Sequence, residues 1–130
     1  MISYNIDEDG IMQVIFAGDV LFKDIMYWLA EFNEIPNLPS KVNLIYDLRN
    51  ANLHLDMVKL IQIAKRTEEA TSKFERVRTV FLLEESKYDS YSTLFSFLNT
   101  KGKTTRKVFT DLDKALEWLI LGDQLPGAGS

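Results

Sequence analysis

A chain of 130 residues, 46% hydrophobic and 26% charged, has the length and make-up of one globular domain, burying roughly two-thirds of its unfolded-chain surface. Nineteen acidic against 15 basic side chains give a formal charge of −4, which argues against nucleic acid as the main partner. The absence of cysteine excludes disulfides, thiolate nucleophiles and zinc sites built on sulfur.

The first residues, MISYNIDEDG, lack the basic region and apolar run of a secretory signal. No apolar run approaches the roughly eighteen residues a spanning helix needs, so a cytoplasmic protein is expected. Ile2, Tyr4 and Ile6 alternate with Ser3, Asn5 and Asp7, the period of a half-buried strand. Asp9-Gly10 marks a tight turn, and the apolar stretch 11–17 returns as a second strand, so the domain opens on an antiparallel hairpin. Gly18-Asp19 breaks that strand, with Asp19 as the N-cap of a helix from about Val20 to Asn33. Leu21, Ile25, Trp28 or Leu29, and Phe32 form its apolar stripe, widened by Met26 and Tyr27. Two prolines in 34–41 then force a loop.

Val42 to Leu48 reads as a strand covered on both faces, followed by a short polar turn that holds the only histidine, His54. The next helix spans about Asp56 to Ala70, with Met57, Leu60, Ile61 and Ala64 facing inward. Arg76 to Leu83 is a further apolar strand. Asp89 or Ser90 caps a third helix that runs to about Lys101 on Tyr91, Leu94, Phe95 and Leu98. Arg106 to Phe109 is a short last strand. Thr110 and Asp113 resemble a capping box for a final helix on Leu112, Ala115, Leu116 and Leu119, which ends at Gly122. The order is β-β-α-β-α-β-α-β-α: a hairpin followed by largely parallel strands packed with helices, an α/β fold.

This order, with LIYDLRNA feeding a helix, resembles the STAS superfamily, the fold of anti-sigma-factor antagonists. The ending RKVFTDLDKALEWL, residues 106–119, is similar to the closing strand and helix of small bacterial STAS-like proteins of unassigned role. The likeness covers about residues 1–121 and rests on apolar patterning, Asp47-Leu48, and Ala115, Trp118 and Leu119. It implies one STAS-like domain over 1–122, with 123–130 a disordered tail. Signalling members carry a serine or threonine at the start of the helix after this strand, where phosphorylation breaks an interface. Here that stretch is His54-Leu55-Asp56-Met57-Val58-Lys59, and no hydroxyl occurs between Leu53 and Thr67. Phosphorylation needs an oxygen nucleophile, and Asp56 supplies only a permanent negative charge.

The residues themselves offer no complete catalytic constellation. There is no G-x-S-x-G elbow and no glycine-rich phosphate loop. One histidine cannot build a multi-histidine metal site, and adjacent acids such as Glu68-Glu69 are mostly solvated surface. No cofactor is expected. The basic stretch Lys101, Lys103, Arg106 and Lys107 lacks interleaved aromatics and reads as a polar loop. The candidate ligand- or partner-facing residues are Asn52, His54 and Asp56 beside the second helix, and Tyr88, Tyr91 and Phe97 around the third. Two functions follow. One is a non-enzymatic interaction or regulatory module that binds a protein partner or a second copy of itself as a homodimer. The other is a binder of a small apolar or lipid-like ligand, since the broader fold resembles the core of CRAL-TRIO lipid-transfer domains.

Overall fold

In a computed structural model, which describes residues 1–89, 91 and 104–121, the hairpin forms as its residues dictate. Strand β1 (Ile2–Ile6) pairs antiparallel with β2 (Ile11–Leu21). Asp7 Oδ1 accepts from the amides of Asp9 and Ile11, and Gly10 takes the positive φ of 77° that the turn requires. Helix α1 (Phe22–Glu34), strand β3 (Lys41–His54), helix α2 (Met57–Thr71) and strand β4 (Arg76–Leu82) follow. A single 3₁₀ turn (Glu85–Lys87), strand β5 (Thr104–Phe109) and helix α3 (Leu112–Leu121) complete the described chain. The third helix expected from the apolar stripe falls mainly on 92–103, and the tail on 122–130, outside the described residues.

The five strands lie in the order β1-β2-β3-β4-β5, with β2 to β5 mutually parallel. Parallel neighbours need crossover connections, which α1 and α2 supply. Both pack on one face, over Met12, Val14, Phe16, Val42, Leu44, Val77 and Phe81. Helix α3 covers the other, over Ile11, Ile45, Val80 and Leu82. Leu112, Ala115, Leu116 and Leu119 face inward there, as their spacing predicts.

The structure departs from the expected elements at four points, each for a local reason. Strand β2 does not end at Gly18. That glycine sits at φ 72°, the register against β3 shifts between Ile15 and Ala17, and pairing resumes through to Leu21–His54. The extra residue lies on β3, which advances from Asp47 to Asn50 while β2 advances from Ile15 to Ala17, and β2 continues through Gly18. Asp19 is therefore a strand residue, and α1 begins two residues later than expected, with Asp24 accepting from the Leu21 amide at 2.8 Å. Strand β3 likewise runs through the supposed turn to His54. In α2 the buried residues are Leu60, Ile63, Ala70 and Thr71, while Met57 and Ile61 point outward, so the inward stripe is turned from the expected one toward Ile63 and the residues seven and eight further on. For α3, Asp111 rather than Thr110 receives the first amides, from Asp113 and Lys114.

Candidate functional site

Because β3 stays extended to its last residue, its side chains alternate. Ala51 is buried and Leu53 half-buried toward the helices, whereas Asn50, Asn52 and His54 are exposed. His54 Nε2 donates to Asp19 Oδ1 at 2.9 Å, joining the ends of β2 and β3, with 54% and 73% of the two side chains exposed. Asp56, as expected, caps α2 by accepting from the Lys59 amide at 2.9 Å. From that cap α2 turns Met57, Val58 and Ile61 to solvent, 42%, 65% and 60% exposed.

The segment after β4 docks on this end. Lys87 Nζ donates to the Ala51 carbonyl at 3.0 Å, and Tyr91 Oη accepts from the Leu53 amide at 3.4 Å. Tyr88, between them in sequence, is 41% exposed, and Tyr91 is half-buried against the core. Asn52, His54, Asp56, Tyr88 and Tyr91 thus gather around the end of β3, whereas Phe97 lies outside the described residues. Trp118 packs on Phe109 on the opposite face of the sheet.

A second feature lies behind this end. Between the sheet and helices α1 and α2 is a cavity of about 60 Å³. Leu53 and Leu55 close it near the start of α2; Phe16, Trp28, Phe32, Tyr46 and Phe81 supply aromatic walls. Tyr46 stacks on Phe81 with ring centres 5.7 Å apart and meets Phe16 edge-on at 5.6 Å. Trp28 Nε1 donates to Tyr46 Oη at 3.3 Å. Burial pushes the Tyr46 phenol pKa up, only partly offset by Trp28 and by the charge of Arg106, so it stays protonated at neutral pH. The polar end is built from Thr79 of β4 and Thr104 and Arg106 of β5, with Thr67 and Thr71 of α2. Residue types alone do not single out Tyr46, Thr79 or Arg106. The one available signal is the period-two alternation in TTRKVF, which sends Arg106 to the same face as Val108, a core-packed residue. Arg106 therefore belongs to a cavity wall and not to the polar loop expected for the basic stretch.

On the α3 side, Asp47 is 6% exposed. It accepts from Arg49 Nε at 3.0 Å, from Nη2 at 2.8 Å and from the Arg49 amide at 3.2 Å. Burial alone would raise its pKa; the hydrogen bonds and charge of Arg49, with Gln13, outweigh burial and hold the carboxyl below its usual range. The same contact raises the Arg49 guanidinium.

Among the described residues no cluster of three or more His, Asp or Glu is placed to hold a metal, and no helix is long and apolar enough to cross a membrane. No family model matches the chain, and no curated protein does. Among solved structures, it is similar to an uncharacterised protein of the DUF3478 family from Shewanella loihica PV-4, which has a SpoIIAA-like fold. The two agree with a TM-score of 0.56 over 92% of each chain, at 17% sequence identity. The chain therefore has a SpoIIAA-like, STAS-like fold, with the N-terminal antiparallel hairpin and parallel strands described above.

Proposed function

We propose that this chain is a non-enzymatic interaction module of the cytoplasm, presenting the end of β3 and the first turns of α2 to a protein partner. The observation that carries the reading is the outward row Met57, Val58 and Ile61, exposed apolar side chains that follow directly on the Asp56 cap. Anti-sigma-factor antagonists, which the chain resembles, switch their interface with a phosphorylated hydroxyl at this helix start. Here Asp56 places a carboxylate at the cap, and that position offers no hydroxyl for a phosphorylation switch. A photo-crosslinking residue at Val58 tests this in the native cell, with one at Glu8 in the β1–β2 turn as control. We expect a discrete crosslinked species from position 58 alone, lost when Ile61→Glu is added. Free chain from both positions would refute the reading. Light scattering of the purified protein tells whether the partner is a second copy.

A second reading, a binder of a small apolar ligand, is favoured by the cavity between the sheet and α1 and α2, which leaves the apolar interior incompletely filled.

A further inference from the structure

Among the described residues β1 is the outer strand of the sheet, and its free edge follows from its pairing with β2. The Asp7 amide donates to the Ile11 carbonyl and the Ala17 amide to the Met1 carbonyl, each at 3.0 Å. Hydrogen-bonded pairs alternate along an antiparallel ladder, so Met1, Ser3, Asn5 and Asp7 turn their backbone groups to β2. Ile2, Tyr4 and Ile6 therefore aim their N–H and C=O groups away from the sheet. Edge strands are commonly guarded by a charge, a proline or a bulge. Strand β1, ISYNI, has none of the three, and its register against β2 runs without a shift.

The same strand reads alike from either end: isoleucine, polar residue, tyrosine, polar residue, isoleucine. An interface with a two-fold axis demands this kind of self-complementarity. With the axis at Tyr4, each Tyr4 meets the other, Ile2 meets Ile6 and Ser3 meets Asn5. The tyrosine and isoleucine pairs each exchange two backbone hydrogen bonds. A slip by one residue would set these outward groups against groups already bonded to β2. The side chains agree with the backbone. The Tyr4 ring lies 5.4 Å from that of Trp28 and Ile2 packs on the same core, so by alternation Ile6 shares that face. Tyr4 and Ile6, 37% and 48% exposed, are what a second copy would cover.

Charge selects the same register. The strand itself is uncharged, but Asp7, Glu8 and Asp9 follow it. With the axis at Tyr4 the two acidic turns lie at opposite ends, the Glu8 residues about 26 Å apart at about 3.3 Å per residue, well beyond the screening length of about 8 Å. Moving the axis to Ile6 would halve that distance and set Tyr4 against Glu8. We propose that two copies of this chain join antiparallel through their β1 edges, with the two-fold axis at Tyr4, into one continuous sheet. This surface is separate from the α2 patch, and Glu8 stands past the end of the paired segment. Five residues per copy make a small interface, so the association is weak and is read at high protein concentration.

The absence of cysteine makes the register directly testable. In such a pair the two Tyr4 Cα atoms stand about 5.5 Å apart, within the span of a disulfide. Each Asn5 is offset from its own copy by two residues, about 8 Å, too far to bridge. We expect mild oxidation to link Tyr4→Cys into a dimer on a non-reducing gel, and to leave Asn5→Cys and Glu8→Cys largely monomeric. In sedimentation equilibrium of the parent from about 1 μM to about 1 mM, the mean mass should rise from one chain toward two. Ile6→Pro removes an outward N–H and no bond to β2, and should weaken association at least tenfold. Ile61→Glu, on the α2 patch, should leave it unchanged. A parent that stays monomeric throughout would overturn the proposal, as would equal linking of Tyr4→Cys and Asn5→Cys. Dissociation by Ile61→Glu but not by Ile6→Pro would overturn it too, and would place self-association on the α2 patch. Should Ile6→Pro fail to fold, the cysteine variants decide.

Discussion

The two faces of the sheet each enclose an arginine, and they treat it differently. On the α3 face Arg78 is 7% exposed, with its guanidinium 5.8 Å from the Trp118 ring centre beside a fully buried cluster of Ile11, Ile45, Val80, Leu82, Ala115 and Leu119. On the α1–α2 face Arg106 stands at the end of a hollow. Among the described residues two helices cover that second face and one covers the first, yet the face with two is the one left incompletely filled. The difference lies in the strand residues. Thr79 and Thr104 occupy positions on the hollow face where a leucine or isoleucine would reach the helices. The cavity is thus a property of a few side chains and not of the fold.

The largest expected effect breaks this contrast from the filled side. Leu119→Ala should cost about 2–5 kcal/mol in urea unfolding, because α3 packs against a cluster that cannot collapse into the void. The matching change on the hollow side is Ile63→Phe. Overpacking an ordinary core costs about 1–3 kcal/mol. Here the ring has a cavity to enter, so the cost should fall below about 1 kcal/mol. A cost equal to that of a filled core would mean the hollow does not accommodate side-chain atoms.

An effect smaller than that of Leu119→Ala belongs to the polar part of the α3 face. Asp47→Asn should cost about 1–2 kcal/mol at neutral pH, since it weakens charged hydrogen bonds to Arg49, a side chain still 39% exposed. The pH dependence has a definite sign. The folded-state pKa of Asp47 is depressed, so the unfolded chain binds more protons in the acid range. The stabilisation is complete above the unfolded carboxyl value of about 4 and is lost as pH falls through the lower folded value. Unfolding midpoints measured from neutral pH down to acid should converge for wild type and Asp47→Asn; parallel curves would dissociate Asp47 from this behaviour.

Much of this fold was legible in residue order because apolar periodicity reports which face is buried. The hairpin from Ile2 to Ala17, the α1 stripe of Ile25, Trp28 or Leu29, and Phe32, and the α3 stripe all follow from it. The boundaries around Gly18 and His54 were not legible, because NANLH, residues 50–54, carries the polar composition of a turn while pairing residue by residue with β2. Only the long-range partner makes it a strand. The α2 register failed for a related reason: Met57 and Ile61 fit an apolar stripe as well as Ile63 does. What decides between them is packing against the rest of the core, which buries Leu60, Ile63, Ala70 and Thr71. The gathering of Asn52, His54 and Asp56 was visible from adjacency alone, but the pairing of His54 with Asp19 depended on β2 continuing past its glycine. The cavity needed residues from six elements and has no contiguous signature.

The smallest predicted effect sharpens the contrast between the molecule's interior and its outer end. His54 and Asp19 form a 2.9 Å pair, but both side chains are more than half exposed, so solvent screens their attraction and ordering them costs entropy. His54→Ala should therefore change unfolding free energy by no more than about 0.5 kcal/mol, as should Asp19→Asn, and the double variant should show little coupling. Because the scaffold is indifferent to these changes, crosslinking from position 58 can be read as a property of the surface itself. A loss of crosslinking in His54→Ala, with the unfolding midpoint unmoved, would put the histidine in the contact. An unfolding change of several kcal/mol would instead make the pair a structural tie between β2 and β3, and the surface reading of His54 would fall.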